Sequence, residues 1–156
     1  MIAASASGGM SALAVAQVSQ LTPRQHGRVE VGDPIFKVVD EMKAKGRGAV
    51  VVEEDGTLVG IFTERDLMSR LDHSDALWQH VIVRDVMTPN PTVIHPDDSL
   101  AEALRRLVLG KRRHLPVVDD AGRVLNLLSI RDILNFVASK FPEEMLNLPP
   151  NPDHES

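Results

Sequence analysis

Residues 48–68 of this chain lie on residues 114–134 at a constant offset of 66, and five of the 21 pairs are identical: Val51/Val117, Val52/Val118, Gly56/Gly122, Arg65/Arg131 and Asp66/Asp132. Most other pairs exchange apolar for apolar, acid for acid, or Thr63 for Ser129. Few features constrain architecture as tightly as an internal repeat, because it states that one supersecondary unit is used twice. Upstream, Val38–Met42 matches Ala103–Leu107 at an offset of 65, so one residue slips between the two blocks. A chain of 156 residues can hold two such units fused into one domain-sized body with a real core.

Both copies share a local grammar. Apolar residues at helical spacing come first: Ile35, Val38, Val39 and Met42, then Leu100, Ala103, Leu104, Leu107 and Val108. A short apolar run follows, Ala49–Val52 or Leu115–Val118, as expected of a strand buried on both faces. Glu54-Asp55-Gly56 and Asp120-Ala121-Gly122 read as hairpin turns into second strands at Leu58–Phe62 and Val124–Leu128. Thr63 and Ser129 open the closing helices. Lead-in strands are predicted at Arg28–Val31 and Thr92–Ile94, a helix from about Met10 to Gln20, and a polar, helix-like linker over 69–85. The Pro-rich, acidic tail from Pro142 is expected to be extended. The divisions are an N-terminal extension at 1–20, a first repeat with linker at 21–84, a second repeat at 85–141 and a tail at 142–156.

Composition removes several function classes. The chain has no Cys, hence no disulfide framework, thiolate nucleophile or cysteine metal site. A net charge of -5 argues against a nucleic-acid partner. Aromatics make up 3%, too few for base-stacking platforms, whereas 19 Val and 17 Leu supply an aliphatic core. No stretch is long and apolar enough for a membrane span, and Met1–Gln20 lacks the basic residues of a leader peptide, so the cytoplasm is the expected location. The six His show no metal-ligand spacing, and Asp72-His73-Ser74-Asp75 cannot form a triad from adjacent positions.

Asp85-Val86-Met87-Thr88, Asp98-Ser99-Leu100-Ala101-Glu102-Ala103-Leu104, His114-Leu115-Pro116-Val117-Val118-Asp119 and Ser129-Ile130-Arg131-Asp132-Ile133, with Gly60-Ile61-Phe62-Thr63-Glu64-Arg65-Asp66-Leu67 in the first copy, resemble a tandem pair of CBS domains, the regulatory Bateman module. The resemblance covers about residues 20–140. It implies an α/β (α+β) fold of two βαββα CBS repeats, packed through their sheets with pseudo-twofold symmetry around two clefts. It also implies an adenosine-containing effector (AMP, ADP, ATP or S-adenosylmethionine), no required cofactor, and pairing into a homodimer. Three departures stand out: no Val-Met before Thr22-Pro23, Val50 opposite Pro116, and Asn126 where the pattern and Gly60 have glycine.

Thr63-x-x-Asp66 and Ser129-x-x-Asp132 admit two roles. At a strand-to-helix junction each is a capping box. Each carboxylate also suits the paired hydroxyls of a ribose, beside a helix start that favours phosphate, and the resemblance assigns the acid that role. Lys111-Arg112-Arg113-His114 is either a basic turn after a helix or, by the resemblance, a phosphate clamp formed by Arg113 and His114. Arg47 and Gly48 are the first copy's equivalents. On that basis the Asp132 cleft is expected to hold Arg113 and His114, borrowing backbone from Gly46, Arg47 and Thr22–Val29, while the Asp66 cleft borrows from Thr88–Val93. Arg65 and Arg131 suit either a phosphate or acids across a dimer interface.

The expected function is a non-catalytic regulatory module that binds an adenosine ligand and signals to an effector protein by conformational change. The alternative is a structural dimerisation or adaptor module with degenerate clefts. An enzyme is disfavoured because no base, nucleophile or metal set accompanies the acids. The Met1 start and short polar ends favour a chain that stands alone over a piece of a longer enzyme or transporter.

Overall fold

A computed structural model describes residues 8–140. The order is α1 (Gly8–Val15), β1 (Gly27–Glu30), α2 (Ile35–Lys45), β2 (Ala49–Glu54), β3 (Thr57–Thr63), α3 (Glu64–Ser69), β4 (Thr88–Pro89), α4 (Leu100–Leu109), β5 (His114–Val118), β6 (Val124–Ser129) and α5 (Ile130–Lys140). One sheet runs β1-β2-β3-β4 and the other β5-β6. β1 is parallel to β2, while β2 and β3, β3 and β4, and β5 and β6 are antiparallel. Asp55 (φ 51) and Gly56 (φ 77) turn the first hairpin, the positive-φ pair that a two-residue turn requires. The second hairpin is longer and closes on Asp119, whose carboxylate accepts from the Ala121 and Arg123 amides at 2.9 Å each.

The apolar runs are buried on both faces, as their lack of alternation requires. In β2, Val50 and Val52 pack on α2 with Ile35, Val38, Met42 and Phe62. Ala49 and Val51 face the other way, joining Ile61, Val118, Val124 and Leu127 in a layer between the repeats. Leu115, Val117 and Leu128 enter the third cluster, with Leu100, Ala103, Leu107 and Ile133. Both hairpins carry a register shift at the equivalent place, between Val52 and Glu53 and between Val117 and Val118.

Each repeat's lead-in packs in the other repeat's core. Leu13, Ala16, Val18 and Leu21 belong to the cluster of the second repeat, and Leu71, Val83 and Val86 to that of the first. The hydrogen bonds repeat with the sequence. Val18 N donates to Asp98 O and Val83 N to Asp33 O, both at 2.9 Å; Leu100 N donates to Ala16 O and Ile35 N to Val81 O, again both at 2.9 Å. The bridges Gln17↔Ser99 and Pro34↔Ile82 are related in the same way.

Three local expectations are corrected. The 69–85 linker is not an α-helix; beyond Ser69 it holds only 3-10 turns at Trp78–His80 and Val83–Asp85. Asp72 and Asp75 accept from the Ser74 and Leu77 amides at 3.0 and 2.9 Å, drawing the backbone into local turns. Thr92–Ile94 forms no strand, only the bridge Ile94↔Val117, because the next ladder bonds on either side would need the amides of Pro116 and Pro96, which proline lacks. The N-terminal helix ends at Val15 and a 3-10 turn follows at Val18–Gln20. The expected tail from Pro142 lies outside the described residues.

Gly60 is confined by this crossing. A Cβ there would overlap the Met87 sulfur and stand 3.0 Å from the Thr88 carbonyl, since β4 lies directly against it. Asn126, the second repeat's counterpart, is buried and accepts from the Leu127 amide at 2.8 Å. At this strand Arg28 and Arg47 donate to the carbonyls of Val124 and Leu127 at 2.7 and 2.8 Å. Guanidinium groups reach these carbonyls instead of an adjacent backbone, so a side chain fits where β3 needs glycine.

The exchange predicts one cooperative transition. Leu21→Ala removes a buried side chain from the second repeat's core and should cost about 2–5 kcal/mol. Trp78, packed on the first repeat, should report the same loss as far-UV circular dichroism in urea unfolding.

Candidate functional site

Thr63 ends β3 and caps α3. Its hydroxyl accepts from the Asp66 amide at 3.2 Å, while the Asp66 carboxylate accepts from the Thr63 amide at 3.0 Å, completing a capping box. Asp66 is buried, and its second oxygen pairs with the Arg70 Nε at 3.0 Å. Thr88 donates its hydroxyl to the same carboxylate at 3.4 Å.

A cavity of about 700 Å³ opens over this acid. One wall is the start of α3, with Thr63, Glu64, Arg65 and Asp66; another is Thr88–Thr92; the third is Lys111–His114 at the entry to β5. Arg65, Arg70, Lys111, Arg112 and Arg113 set five cations against Glu64 and Asp66. In a chain of net charge -5, this concentration gives the cavity the opposite sign to the molecule. Lys111 holds φ 52, the left-handed conformation that Gly46 (φ 62) supplies after α2 in the first repeat. A lysine at a position suited to glycine is locally strained backbone at the cavity rim.

Arg113 and His114 therefore do not stand as expected. They line the Asp66 cavity rather than serving the Asp132 cleft as a pair. Stacking the hairpins face to face turns the residues before β5 towards the start of α3. The borrowed segment Thr88–Thr92 does lie on the Asp66 cavity.

The second cleft is built from Asp132, Ser129, Arg24 and Arg47. Ser129 and Asp132 repeat the reciprocal bonds: the Ser129 amide and hydroxyl donate to the carboxylate at 2.8 and 3.0 Å, and the Asp132 amide donates to the hydroxyl at 3.4 Å. Arg24, from the first repeat's lead-in, places its Nε 2.6 Å from the other carboxylate oxygen. Arg47 also donates to the Gln25 carbonyl at 3.4 Å. Burial and the neighbouring Arg24 lower the Arg47 pKa, with Asp132 opposing them. Arg131 is exposed on α5, and among the described residues it makes no ion pair.

His114 links the clefts. It lines the Asp66 cavity and pairs with Ser129 in the β5–β6 register. Burial, then Arg47 and Arg113, push its imidazole down to about 4, against the pull of Asp132. His26 is also lowered, first by burial and then by Arg28, and its Nε2 is buried without a hydrogen-bond partner among the described residues.

Sequence reading took only backbone from Thr22–Val29 and missed the side chains of Arg24 and His26. Arg24 lies 105 residues from Ser129, and no local pattern joins them. Arg70 was legible in principle as the i+4 partner of Asp66. Among the described residues no group of three or more His, Asp or Glu could hold a metal ion. No helix among them is long and apolar enough to cross a membrane.

The CBS-domain family model matches residues 28–73 and 83–139. The chain belongs to the CBS-domain family. It is 36% identical over 107 residues to the CBS domain-containing protein CBSCBSPB2 of Arabidopsis thaliana, spanning 68% of this chain and 20% of that one. It is 32% identical over 124 residues to the uncharacterized protein MK0525 of Methanopyrus kandleri, spanning 75% of this chain and 63% of that one. Thus the chain covers less than two thirds of either relative. Among solved structures, CBSX2 in complex with AMP is similar at 25% identity and TM-score 0.70, over 80% of this chain and 97% of that one. The CBS-domain containing protein ATU1752 of Agrobacterium tumefaciens is similar at 30% identity and TM-score 0.65, over 72% and 90%.

Two outcomes follow from this CBS pair's geometry. His114 takes its proton near 6.5 when unfolded but only near 4 when folded. Between those values the unfolded chain binds more protons, so this contribution to stability falls as pH drops through that window. Relative to His114→Gln, the wild type should lose about 2 kcal/mol more between about pH 7 and 4.5 in urea titrations. Lys111→Gly should raise stability by about 1 kcal/mol by relieving the left-handed backbone, measured in the same titrations.

Proposed function

We propose that the Asp66 cavity binds an adenosine-containing ligand and that the chain acts as a non-catalytic regulatory module. The observation that carries this is the facing of Thr63 and Asp66 from one repeat against Lys111–His114 from the other across one cavity. Asp66 would accept from ribose hydroxyls, and the start of α3 with Arg65, Arg113 and His114 would receive phosphate. Base recognition would fall to aliphatic side chains such as Ile61 and to backbone groups. AMP, ADP, ATP and S-adenosylmethionine are the candidates, and the five cations favour the phosphorylated ones over a sulfonium. The AMP complex of CBSX2 supports the choice of ligand class.

A ligand touching both repeats would favour one arrangement of the two, a coupling typically worth about 1–3 kcal/mol. Its reader would be an effector protein, with a homodimer as the regulated unit and the cytoplasm as the setting.

The adaptor alternative draws on one observation: Asp66 already serves a cap and an ion pair within its own repeat. Thermal unfolding with each of the four ligands separates the two. Binding should raise the midpoint, by an amount equivalent to about 2.7 kcal/mol at a hundredfold excess over Kd. Asp66→Ala should remove most of that shift, leaving only the weaker Asp132 cleft, while costing about 0.5–2 kcal/mol of stability from the lost cap. Absence of any shift in the wild type, far above micromolar ligand, would leave the adaptor role.

A further inference from the structure

We propose that Arg24 is a latch on the second cleft, holding the Asp132 carboxylate and making the two clefts unequal. The proposal rests on the adenosine-binding role proposed above. Arg24 Nε stands 2.6 Å from Asp132 Oδ1, and its Nη2 lies 3.4 Å from the Ser129 hydroxyl. The other carboxylate oxygen is taken by the Ser129 amide and hydroxyl. A pair of ribose hydroxyls approaching Asp132 would therefore meet an acceptor whose two oxygens are already engaged.

The Asp66 cleft is built differently. Its acid pairs with Arg70, four residues along the same segment, and Arg70 keeps a second bond to the Met87 carbonyl at 3.2 Å, so opening the ion pair leaves that tie to the other repeat in place. The lead-in residues aligned with Arg24 are Pro89 and Asn90, which carry no charge. Arg24 reaches Asp132 from the opposite repeat. Its release would loosen one of four arginine ties from the first repeat to the second, the others being Arg28 to the Val124 carbonyl, Arg47 to the Leu127 carbonyl and Arg70 to the Met87 carbonyl. Arg24 is 41% exposed beside a carboxylate only 9% exposed, so the guanidinium has solvent to swing into while the acid stays in place. The order of filling follows: the Asp66 cleft first, and the Asp132 cleft only when the tie between repeats is broken.

The test isolates the second cleft with Asp66→Ala and uses adenosine, which has no phosphate to attract the freed guanidinium. Isothermal titration would compare Asp66→Ala with Asp66→Ala/Arg24→Met. Methionine keeps an apolar stem and removes every donor. The double variant is expected to bind adenosine about tenfold more tightly, the scale of one charge-assisted contact no longer displaced. Adding Asp132→Asn should cancel the gain. Arg24→Gln serves as a second variant, with folding checked by circular dichroism. If the wild type binds adenosine or AMP but removing Arg24 gives no gain, the latch is wrong and the adenosine reading stands. If no variant and not the wild type binds either compound, the adenosine reading fails and the latch with it.

Discussion

Everything in this molecule depends on the exchange of lead-in segments between the two repeats. Val18 and Leu21 complete the core of the second repeat, and Val83 and Val86 complete that of the first. Neither repeat encloses its own apolar residues within its own stretch of chain. The exchange also carries Thr88–Thr92 across the first sheet and Arg24 across the second, so the same crossing that closes the cores builds the walls of the clefts. Stability and the candidate site are thus one construction.

The layer between the hairpins sets the remaining geometry. Ala49, Val51 and Ile61 pack against Val118, Val124 and Leu127 in an apolar layer. Such a surface is non-directional and would permit sliding. The arginine bonds to strand carbonyls and the Leu58 amide to Gly122 carbonyl bond at 3.2 Å give it register. Arg28 pairs with the buried Glu53 at 3.1 Å, so that charge is not left alone in the interior.

Electrostatics then make two similar clefts unlike. Arg112 and Arg47 occupy equivalent positions, each one residue after a left-handed backbone, and each stands near the opposite repeat's acid. Arg70 and Arg24 have no such equivalence. Duplication reproduces backbone and core, whereas exposed positions facing the clefts are free to diverge. His114, held neutral by burial and by Arg47 and Arg113, sits where both clefts sense it.

Much of the fold was legible because its determinants are local. The apolar runs Ala49–Val52 and Leu115–Val118, the Gly56 and Gly122 turns and the capping boxes at Thr63 and Ser129 each read from a few neighbouring residues. Where local competition was finer, reading failed: Asp72 and Asp75 diverted a helix-like linker into turns, and Pro116 and Pro96 denied a strand its ladder amides. By itself the sequence determined the repeat, the hydrophobic periodicity and the two carboxylates at helix starts, since each is a spacing of residues along one chain. Only the tertiary structure decided that Lys111–Arg113 line the Asp66 cavity with His114 between both acids, and that Arg24 pairs with Asp132 across 108 residues. Those contacts are set by how two twisted hairpins stack and cross, and no local spacing encodes that angle.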